Sequence, residues 1–474
     1  MTVALGAAGL CAACGDDGGT DAGGGDAGRR DAGGGIDAGP GTDAGPGTDA
    51  GPSGCNGAGC EFVSLNAAIA HTCGVRANGE VMCWGRNQEF QLGDGRALHM
   101  DCAMVGSDPE DCSGAPVNVR WANGGARPLI DDATLVTSRG FTSTCSLRGG
   151  EIWCWSNVVV NTVGGGMPEP LRVAERLFDS VDQVETLSVA GSNICYARGA
   201  SRDLFCAGDN GRGQLGVGTF SPIEISPMTP MFGGSAISGV QELAVSYNEF
   251  ACARTTDAVY CWGRNREGQL GDGPTPHQTC VIDVMTSWDC SNVPVEVGDP
   301  AGSLLGATRD IDAGRSHVCA VRGSGASGQL ACWGDNRAGA VGQTDTNVAY
   351  PLPTDVTGMT DIVQVATGGD FTCALHATGA ISCWGLNSHG QLGDGMTNHG
   401  MQCLVGTVNE DCSPAPVSVE TIDDASYLVA GNSHACAIRA DGSVWCWGLN
   451  TSQQLGDGSR DERNMPVMVQ NSAP

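Results

Sequence analysis

Apolar and polar residues alternate in short stretches that are separated by glycine-containing turns. In TCGVRANGEVMCW at 72–84, TCALHATGAISCW at 372–384 and ACAIRADGSVWCW at 435–447, two such stretches flank the loops ANG, ATG and ADG. Alternation with a period of two predicts half-buried β-strands, and the glycine supplies the positive φ that a tight hairpin loop requires. The pattern therefore predicts β-hairpins.

Each hairpin ends in a Cys-Trp-Gly-x-Asn motif that recurs along the chain. The copies are CWGRN at 83–87 and 261–265, CWGDN at 332–336, CWGLN at 383–387 and 446–450, and the degenerate CWSN at 154–157 and CAGDN at 206–210. Self-similarity at a period of several tens of residues is the signature of a repeat architecture. Seven copies predict seven structural units.

Two further motifs complete each unit. Most copies are followed by a turn such as QLGDG, at 91–95, 269–273, 391–395 and 454–458, and then by a short Pro-led strand, at 115–119, 293–297, 415–419 and 465–469. A unit of about four short strands cannot bury both of its faces alone, so the units stack radially around an axis. The sequence predicts an all-β fold, a seven-bladed β-propeller of four-stranded blades.

These residues resemble the regulator of chromosome condensation repeat family. The resemblance is carried by AGNSHACAI at 430–438 and by ALHATGAISCWGLNSHGQLGDG at 374–395, and it extends over roughly residues 60–474. It implies a seven-bladed propeller for residues 55–474. The cysteines depart from the best-known eukaryotic members and fit an exported relative.

The order of the motifs predicts how the ring closes. The first repeat has no Pro-led strand before it, whereas MPVMV at 465–469 follows the last repeat. We therefore expect the C-terminal strand to join blade one and to lock the first and last blades together.

Most cysteines fall into pairs that a hairpin or a loop brings together. Opposed antiparallel positions lie close enough for a disulfide, and spacings near ten favour disulfides over zinc ligation. The predicted hairpin pairs are Cys73–Cys83, Cys145–Cys154, Cys195–Cys206, Cys252–Cys261, Cys319–Cys332, Cys373–Cys383 and Cys436–Cys446. Three pairs lie in insertions, Cys102–Cys112, Cys280–Cys290 and Cys403–Cys412, and Cys55 is expected to pair with Cys60.

The first 54 residues have a different composition. Residues 1–14 resemble the end of a bacterial lipoprotein signal, which makes Cys14 the lipidated residue; a cleaved secretory signal or a disordered tail are the alternatives. Residues 15–54 repeat Asp, Ala, Gly and Pro and bury too little apolar surface to fold, so they form a linker. Export would supply the oxidising environment that disulfides require.

The charge balance limits the possible partners. The chain has 24 basic residues, all arginine, against 53 acidic residues, and its net charge is −29. Such a surface repels phosphate backbones and anionic headgroups, so we expect no nucleic-acid partner and no membrane contact beyond an N-terminal lipid. Basic protein patches are favoured instead, although solubility in salt explains the same charge.

The histidines and the motifs give no sign of a reaction centre. His71, His317 and His434 occupy one repeat position that holds Phe250 and Phe371 in other repeats, so packing explains them. No G-x-S-x-G, P-loop or H-E-x-x-H motif is present. The Asp of LGDG is interpreted as a turn residue, with bound calcium as the alternative. We therefore expect no enzyme, no metal and no cofactor.

Three insertions are the candidate recognition surface. They span 96–114, 274–292 and 396–414, in blades one, four and six, and each begins after a QLGDG turn. Loops that begin at equivalent blade positions emerge on the same rim. Candidate contact residues there are His99, Asp108, Glu110, Asp111, Trp288 and His399. The alternative is that the insertions are decoration without a partner.

Together these observations favour a monomeric, non-enzymatic module at the cell envelope or secreted, which binds a protein partner. Two other functions are considered by analogy with the repeat family. One is inhibition of a secreted enzyme, since one β-lactamase inhibitory protein has this repeat architecture. The other is guanine nucleotide exchange on a small GTPase, which negative charge and export disfavour.

Overall fold

The computed structural model describes residues 59–472, except 97–98, 100–110, 123–127, 142, 158–170, 180, 275, 282–286, 299–304, 306, 324–327 and 347. The described residues form β-strands, turns and loops, without a helix. Blade one contains β1 (Phe62–Ala67), β2 (His71–Arg76), β3 (Val81–Arg86) and β4 (Cys112–Asn118). Blade two contains β5 (Ala133–Thr137), β6 (Ser143–Arg148), β7 (Glu151–Ser156) and β8 (Leu171–Leu177). Blade three contains β9 (Val184–Ala190), β10 (Asn193–Arg198), β11 (Asp203–Asp209) and β12 (Ile223–Met228).

A two-stranded hairpin, β13 (Met231–Phe232) and β14 (Ser235–Ala236), connects blade three to blade four. Blade four contains β15 (Val240–Ser246), β16 (Phe250–Thr255), β17 (Val259–Arg264), β18 (Gln278–Val281) and β19 (Ser287–Glu296). Blade five contains β20 (Thr308–Ala313), β21 (His317–Arg322), β22 (Gln329–Asp335) and β23 (Ala349–Asp355). Blade six contains β24 (Ile362–Thr367), β25 (Phe371–His376), β26 (Ile381–Leu386), β27 (Gln402–Val405) and β28 (Val408–Ser418). Blade seven contains β29 (Ala425–Ala430), β30 (His434–Arg439), β31 (Val444–Gly448) and β32 (Arg463–Met468).

The seven larger sheets formed by the described strands are the blades of a β-propeller. Every pair of neighbouring strands is antiparallel, and the innermost strands β1, β5, β9, β15, β20, β24 and β29 together line a central channel. Blades four and six have a fifth strand, because their insertions fold back as the hairpins β18–β19 and β27–β28. The predicted all-β, seven-bladed architecture is confirmed.

Each hairpin places its two cysteines opposite each other, as the loop count predicts. Cys73 is in register with Cys83 in β2 and β3, with the Cα atoms 4.1 Å apart. The structure joins the same seven hairpin positions by disulfides, and it also joins Cys280 to Cys290 and Cys403 to Cys412. Cys60 and Cys112 are disulfide-bonded as well. Their predicted partners, Cys55 and Cys102, lie outside the described residues, as do Cys14, the signal-like segment and the predicted linker.

Neighbouring blades are joined by buried tryptophans. The indole of Trp262 in blade four donates a hydrogen bond to the Gln214 carbonyl of blade three, at 2.8 Å. Equivalent bonds run from Trp155, Trp333, Trp384 and Trp447 to the turn of the preceding blade. All of these side chains are fully buried. Each therefore contributes a few kcal/mol of apolar burial, and its indole N–H fixes the angle between blades.

The ring closes through the same contacts, and the predicted strand exchange is wrong. Trp84 of blade one donates to the Gln454 carbonyl of blade seven at 3.0 Å, and Thr72 bonds to His434 at 2.9 Å. The C-terminal strand β32 pairs with β31 of its own blade, with Val467 opposite Cys446. Blade one already has its outer strand in β4, because each Pro-led strand pairs with the Cys-Trp strand of its own repeat.

Within the described residues, no helix is long and apolar enough to cross a membrane.

Candidate functional site

The loop that follows each Cys-Trp-Gly-x-Asn motif is built around the motif's asparagine. In blade six the Asn387 carboxamide oxygen accepts a hydrogen bond from the Leu392 N–H, five residues on, at 3.1 Å. The same bond occurs at Asn87, Asn210, Asn265, Asn336 and Asn450. A side chain that satisfies a buried backbone N–H holds the QLG turn in place. All three insertions begin directly after this turn.

Each insertion is closed by one histidine held between two aspartates, an arrangement we call the Asp–His–Asp clamp. The clamps are Asp94–His99–Asp111 in blade one, Asp272–His277–Asp289 in blade four and Asp394–His399–Asp411 in blade six. In blade six, His399 Nε2 lies 2.8 Å from Asp394 and Nδ1 lies 2.7 Å from Asp411. The His399 backbone N–H donates to the same Asp411 carboxylate at 2.7 Å. The equivalent distances in the other clamps range from 2.6 to 3.2 Å.

The clamp also captures the asparagine of the turn. The Asn387 amide donates to Asp411 at 3.0 Å, and Asn87 and Asn265 donate to Asp111 and Asp289 at 2.7 and 2.6 Å. One aspartate therefore ties the start of the insertion, its middle and its return strand together. Such a network lowers the conformational freedom of the loop.

Hydrogen bonds to the aspartates raise the pKa of all three clamp histidines. Burial disfavours the imidazolium of His99, but hydrogen bonds to Asp111 and Asp94 outweigh burial and raise its pKa to about 9. The hydrogen bond to Asp272 likewise raises the pKa of His277 to about 9. At His399 the hydrogen bonds to Asp411 and Asp394 outweigh burial, and the pKa is raised. At neutral pH His99 and His277 are thus doubly hydrogen-bonded imidazolium groups between carboxylates, a charge-assisted arrangement, and His399 has the same geometry.

The geometry changes the interpretation of the predicted contact residues. His99 and Asp111 are buried, and the His399 side chain is only 7% exposed. In these positions they stabilise the insertions from inside. The sequence had predicted that they would contact a partner. Asp108 and Glu110 lie outside the described residues. The insertion histidine of blade four, His277, was missed, although the spacing D-x4-H-x11-D occurs in all three insertions and would have identified it.

The described parts of the blade-four and blade-six hairpins carry exposed or half-buried apolar groups. In blade six the hairpin β27–β28 exposes Leu404 and Val408, each 55% accessible, beside its tight turn. In blade four the half-buried Trp288 lies on β19, opposite Cys280 of β18. The guanidinium groups of Arg264 and Arg266 are 4.4 and 5.0 Å from the centroid of its ring. Of the predicted contact residues that the structure describes, Trp288 is thus the one placed near the surface of an insertion hairpin.

The central channel is the other candidate site. It holds a cavity of about 180 Å³, and Arg139 of blade two crosses it to pair with Asp312 and to donate to the Thr367 carbonyl at 3.1 Å. Burial raises the pKa of Asp310 and of Glu242, which share a hydrogen bond. Among the described residues, no group of three or more His, Cys, Asp or Glu is placed to hold a metal ion. These polar side chains tie opposite blades together across the channel.

Comparison with known proteins agrees with the blade architecture. Two models of the regulator of chromosome condensation (RCC1) repeat match residues 69–91, 362–391 and 426–454, and residues 256–321, 327–375 and 441–473. The ultraviolet-B receptor UVR8 of Arabidopsis thaliana is 25% identical over 415 residues, which is 86% of this chain and 81% of that protein.

Solved structures show the same fold. Human WBSCR16 superposes with a TM-score of 0.61 at 17% identity, over 82% of this chain and 94% of that one. Yeast RCC1 (Prp20), solved bound to Kap60, superposes with a TM-score of 0.62 at 17% identity, over 87% and 86% of the two chains. These matches and the seven repeated blades show that the chain contains regulator of chromosome condensation (RCC1) repeats.

Proposed function

We propose that this propeller is a non-enzymatic protein-binding module, exported to the cell envelope or secreted, that recognises its partner through the insertion hairpins. The observation that carries the proposal is the clamp: the same network fixes all three insertions to their blades, and the blade-six hairpin exposes two apolar side chains at its tip. A loop that serves only as a connection has no need of such a network.

The tips have the character of a binding surface. Leu404 and Val408 form an exposed apolar pair, and Trp288 is an aromatic side chain stacked against two arginines. Aromatic and arginine side chains are enriched among the residues that dominate binding energy. Loops that are already ordered lose less entropy when they bind, so clamping favours affinity. The function is thus assigned to the tips, and the histidines are assigned a supporting role.

The disulfides support the exported setting. Nine disulfides occur between described cysteines, and proteins of the reducing cytosol rarely keep so many. The exported setting is tested by treating cells, without added reductant, with a thiol-reactive polyethylene glycol that alkylates free cysteines of the protein. We expect no modification of the propeller cysteines. Labelling of the hairpin cysteines before reduction would place the protein in a reducing compartment and remove the exported setting.

Site-specific photocrosslinking on intact producing cells tests the recognition surface. A photoreactive amino acid is placed at Leu404 or at Trp288, and captured proteins are identified by mass spectrometry. The matched control is Val348, which is 42% exposed in blade five, a blade without an insertion. We expect both insertion positions to capture the same protein and the control to capture none of it.

A second variant separates binding from folding. Leu404→Asp with Val408→Asp changes only exposed tip residues, so the hairpin and the clamp remain intact. We expect this double variant to lose capture from position 288 while its urea-unfolding midpoint stays unchanged. Equal capture by Val348, or undiminished capture by the double variant, would show that the insertions are decoration.

A further inference from the structure

A second exposed surface lies on blade three, which has none of the three insertions. Within residues 223–232 the outer strand β12 and the hairpin β13–β14 expose five large apolar side chains, each 36 to 42% accessible: Ile223, Ile225, Met228, Met231 and Phe232. β12 is the outermost strand of its sheet, so one edge of its backbone has no strand beside it in the described chain. Clustered exposed apolar residues on a sheet edge are a recognised site for strand addition.

The hairpin forms one wall of a groove. β13 lies against β19 of blade four, and a cavity of about 390 Å³ opens between the hairpin and the turn that joins β16 to β17. Phe232 and Tyr260 form its aromatic side, with ring centroids 4.8 Å apart and planes at 50°. Thr255, Thr256 and Asp257 also line the cavity.

The groove is negatively charged. Tyr260 is directly opposite Glu296 in the pairing of β17 with β19, and Asp257 is part of the groove wall. Burial raises the pKa of Tyr260, and the negative charges of Glu296 and Asp257 raise it further. In the described part of the chain neither carboxylate has an ion pair, although most of the arginines described there have one.

We propose that this edge and groove bind an extended peptide segment of a partner protein in which apolar residues accompany an arginine or a lysine. The basic side chain lies over Tyr260 between Asp257 and Glu296, and the apolar residues pack on Ile225 and Met228. A cation above an aromatic ring is attracted by the ring quadrupole, more strongly when it is desolvated, and two carboxylates add charge complementarity.

A second copy of this chain is the competing occupant of the apolar edge. Two copies of a chain with net charge −29 repel each other, whereas a basic segment is attracted. The surface is independent of the proposed insertion rim. β17 begins at the turn beside the groove and ends directly before Asn265, where the turn leading to the insertion starts, so the groove and the insertion lie at opposite ends of β17.

The test uses the full propeller and a phage-displayed library of linear peptides. Selection against the natural protein, with depletion on Phe232→Ser, isolates peptides that need the groove. We expect these peptides to be enriched in arginine or lysine beside apolar residues. Enrichment of acidic peptides, or no enrichment, would overturn the proposal.

Affinity measurements then test whether the carboxylates of Asp257 and Glu296 bind the basic side chain of the peptide. Fluorescence anisotropy with a selected peptide is expected to show a loss of at least about tenfold for Asp257→Asn with Glu296→Gln, and a weaker salt dependence than the natural protein shows. The matched control is Asp441→Asn, which changes the hairpin turn of blade seven and should leave affinity unchanged. An equal loss in the control would overturn the proposal.

Sedimentation decides between the two occupants. We expect the protein to remain monomeric at tens of micromolar. Self-association that Ile225→Asp abolishes would overturn the peptide proposal in favour of a second copy. The Leu404→Asp with Val408→Asp variant should bind the selected peptide normally, so failure of this proposal and failure of the insertion rim give different results.

Discussion

Blades five and six close the same turn in two different ways. In both blades the motif asparagine accepts a hydrogen bond from the backbone five residues on. In blade five the Asn336 amide then donates to the Gln343 and Asp345 carbonyls, both at 2.9 Å, and the chain proceeds to the outer strand. In blade six the Asn387 amide donates to the Met396 carbonyl, nine residues on, at 3.1 Å, and in addition to the Asp411 carboxylate, 24 residues on, at the return of the insertion.

The difference shows how a repeat accepts a long insertion without losing its geometry. Blades three and seven follow the blade-five arrangement, with Asn210 and Asn450 donating to carbonyls nine residues on. In the insertion blades an aspartate replaces those carbonyls as the acceptor or is added to them. The clamp histidine lies between this aspartate and a second one. The inserted segment is thereby fixed to the blade frame, which is the requirement for a binding loop.

Removing the shared asparagine should have the largest effect, and it should be similar in both kinds of blade. Asn387→Ala and Asn336→Ala each leave a buried backbone N–H without its partner, so we expect each to lower the free energy of unfolding by about 2–4 kcal/mol. Urea unfolding followed by tryptophan fluorescence measures the loss. A much smaller loss for Asn387→Ala would mean that the clamp alone holds the insertion turn.

Much of this fold could be predicted because each blade's signals are local. The hairpin loops set the register that places Cys373 opposite Cys383, and the motif order gives the number of blades. The prediction that the C-terminal strand joins blade one was wrong because the order of the motifs does not determine which repeat a Pro-led strand pairs with. Only the pairing of Val117 with Cys83 shows that the strand completes its own blade.

The candidate site was harder to predict than the fold. His99 and His399 were recognised as insertion residues, but whether a polar side chain points outward or into a network depends on burial, which their sequence context alone did not reveal. The blade-three groove joins residues from β13 and β17 that belong to different repeats. A pattern read within one repeat cannot show such a contact.

Removing one clamp aspartate should affect the insertion blades alone. Asp411→Ala leaves the His399 imidazolium with one carboxylate and deprives Asn387 of an acceptor, so we expect a loss of about 1–3 kcal/mol. The matched control is Thr219→Ala in blade three, where Asn210 bonds to the backbone carbonyl of residue 219, which survives the substitution. We expect the control to lose less than about 0.5 kcal/mol. Both variants are compared by urea-unfolding midpoint, and equal losses would contradict the distinction between the two closures.

The last prediction concerns pH and compares two groups of histidines in one molecule. The pKa of His99 and that of His277 are raised to about 9, whereas burial lowers the pKa of His71, His434 and His317 to about 3, 3 and 4. A raised folded pKa gives stability that is complete below the unfolded value of about 6.5 and is lost as pH rises through about 9. A lowered histidine pKa has the opposite sign, since the unfolded chain takes up protons first and stability falls as pH drops below about 6.5.

The insertions should therefore loosen at alkaline pH while the blade interior weakens at acid pH. Histidine ring resonances followed by NMR from pH 5 to 10 should show His99 and His277 titrating near 9 and His71, His317 and His434 neutral throughout. Hydrogen exchange of the His99 backbone amide, which donates to Asp111, should accelerate beyond the intrinsic pH dependence above pH 9. We expect the smallest effect on overall stability here, because each clamp orders only one insertion. Titration of the clamp histidines near 6.5 would contradict the assignment, since it would mean that the carboxylates do not hold the proton.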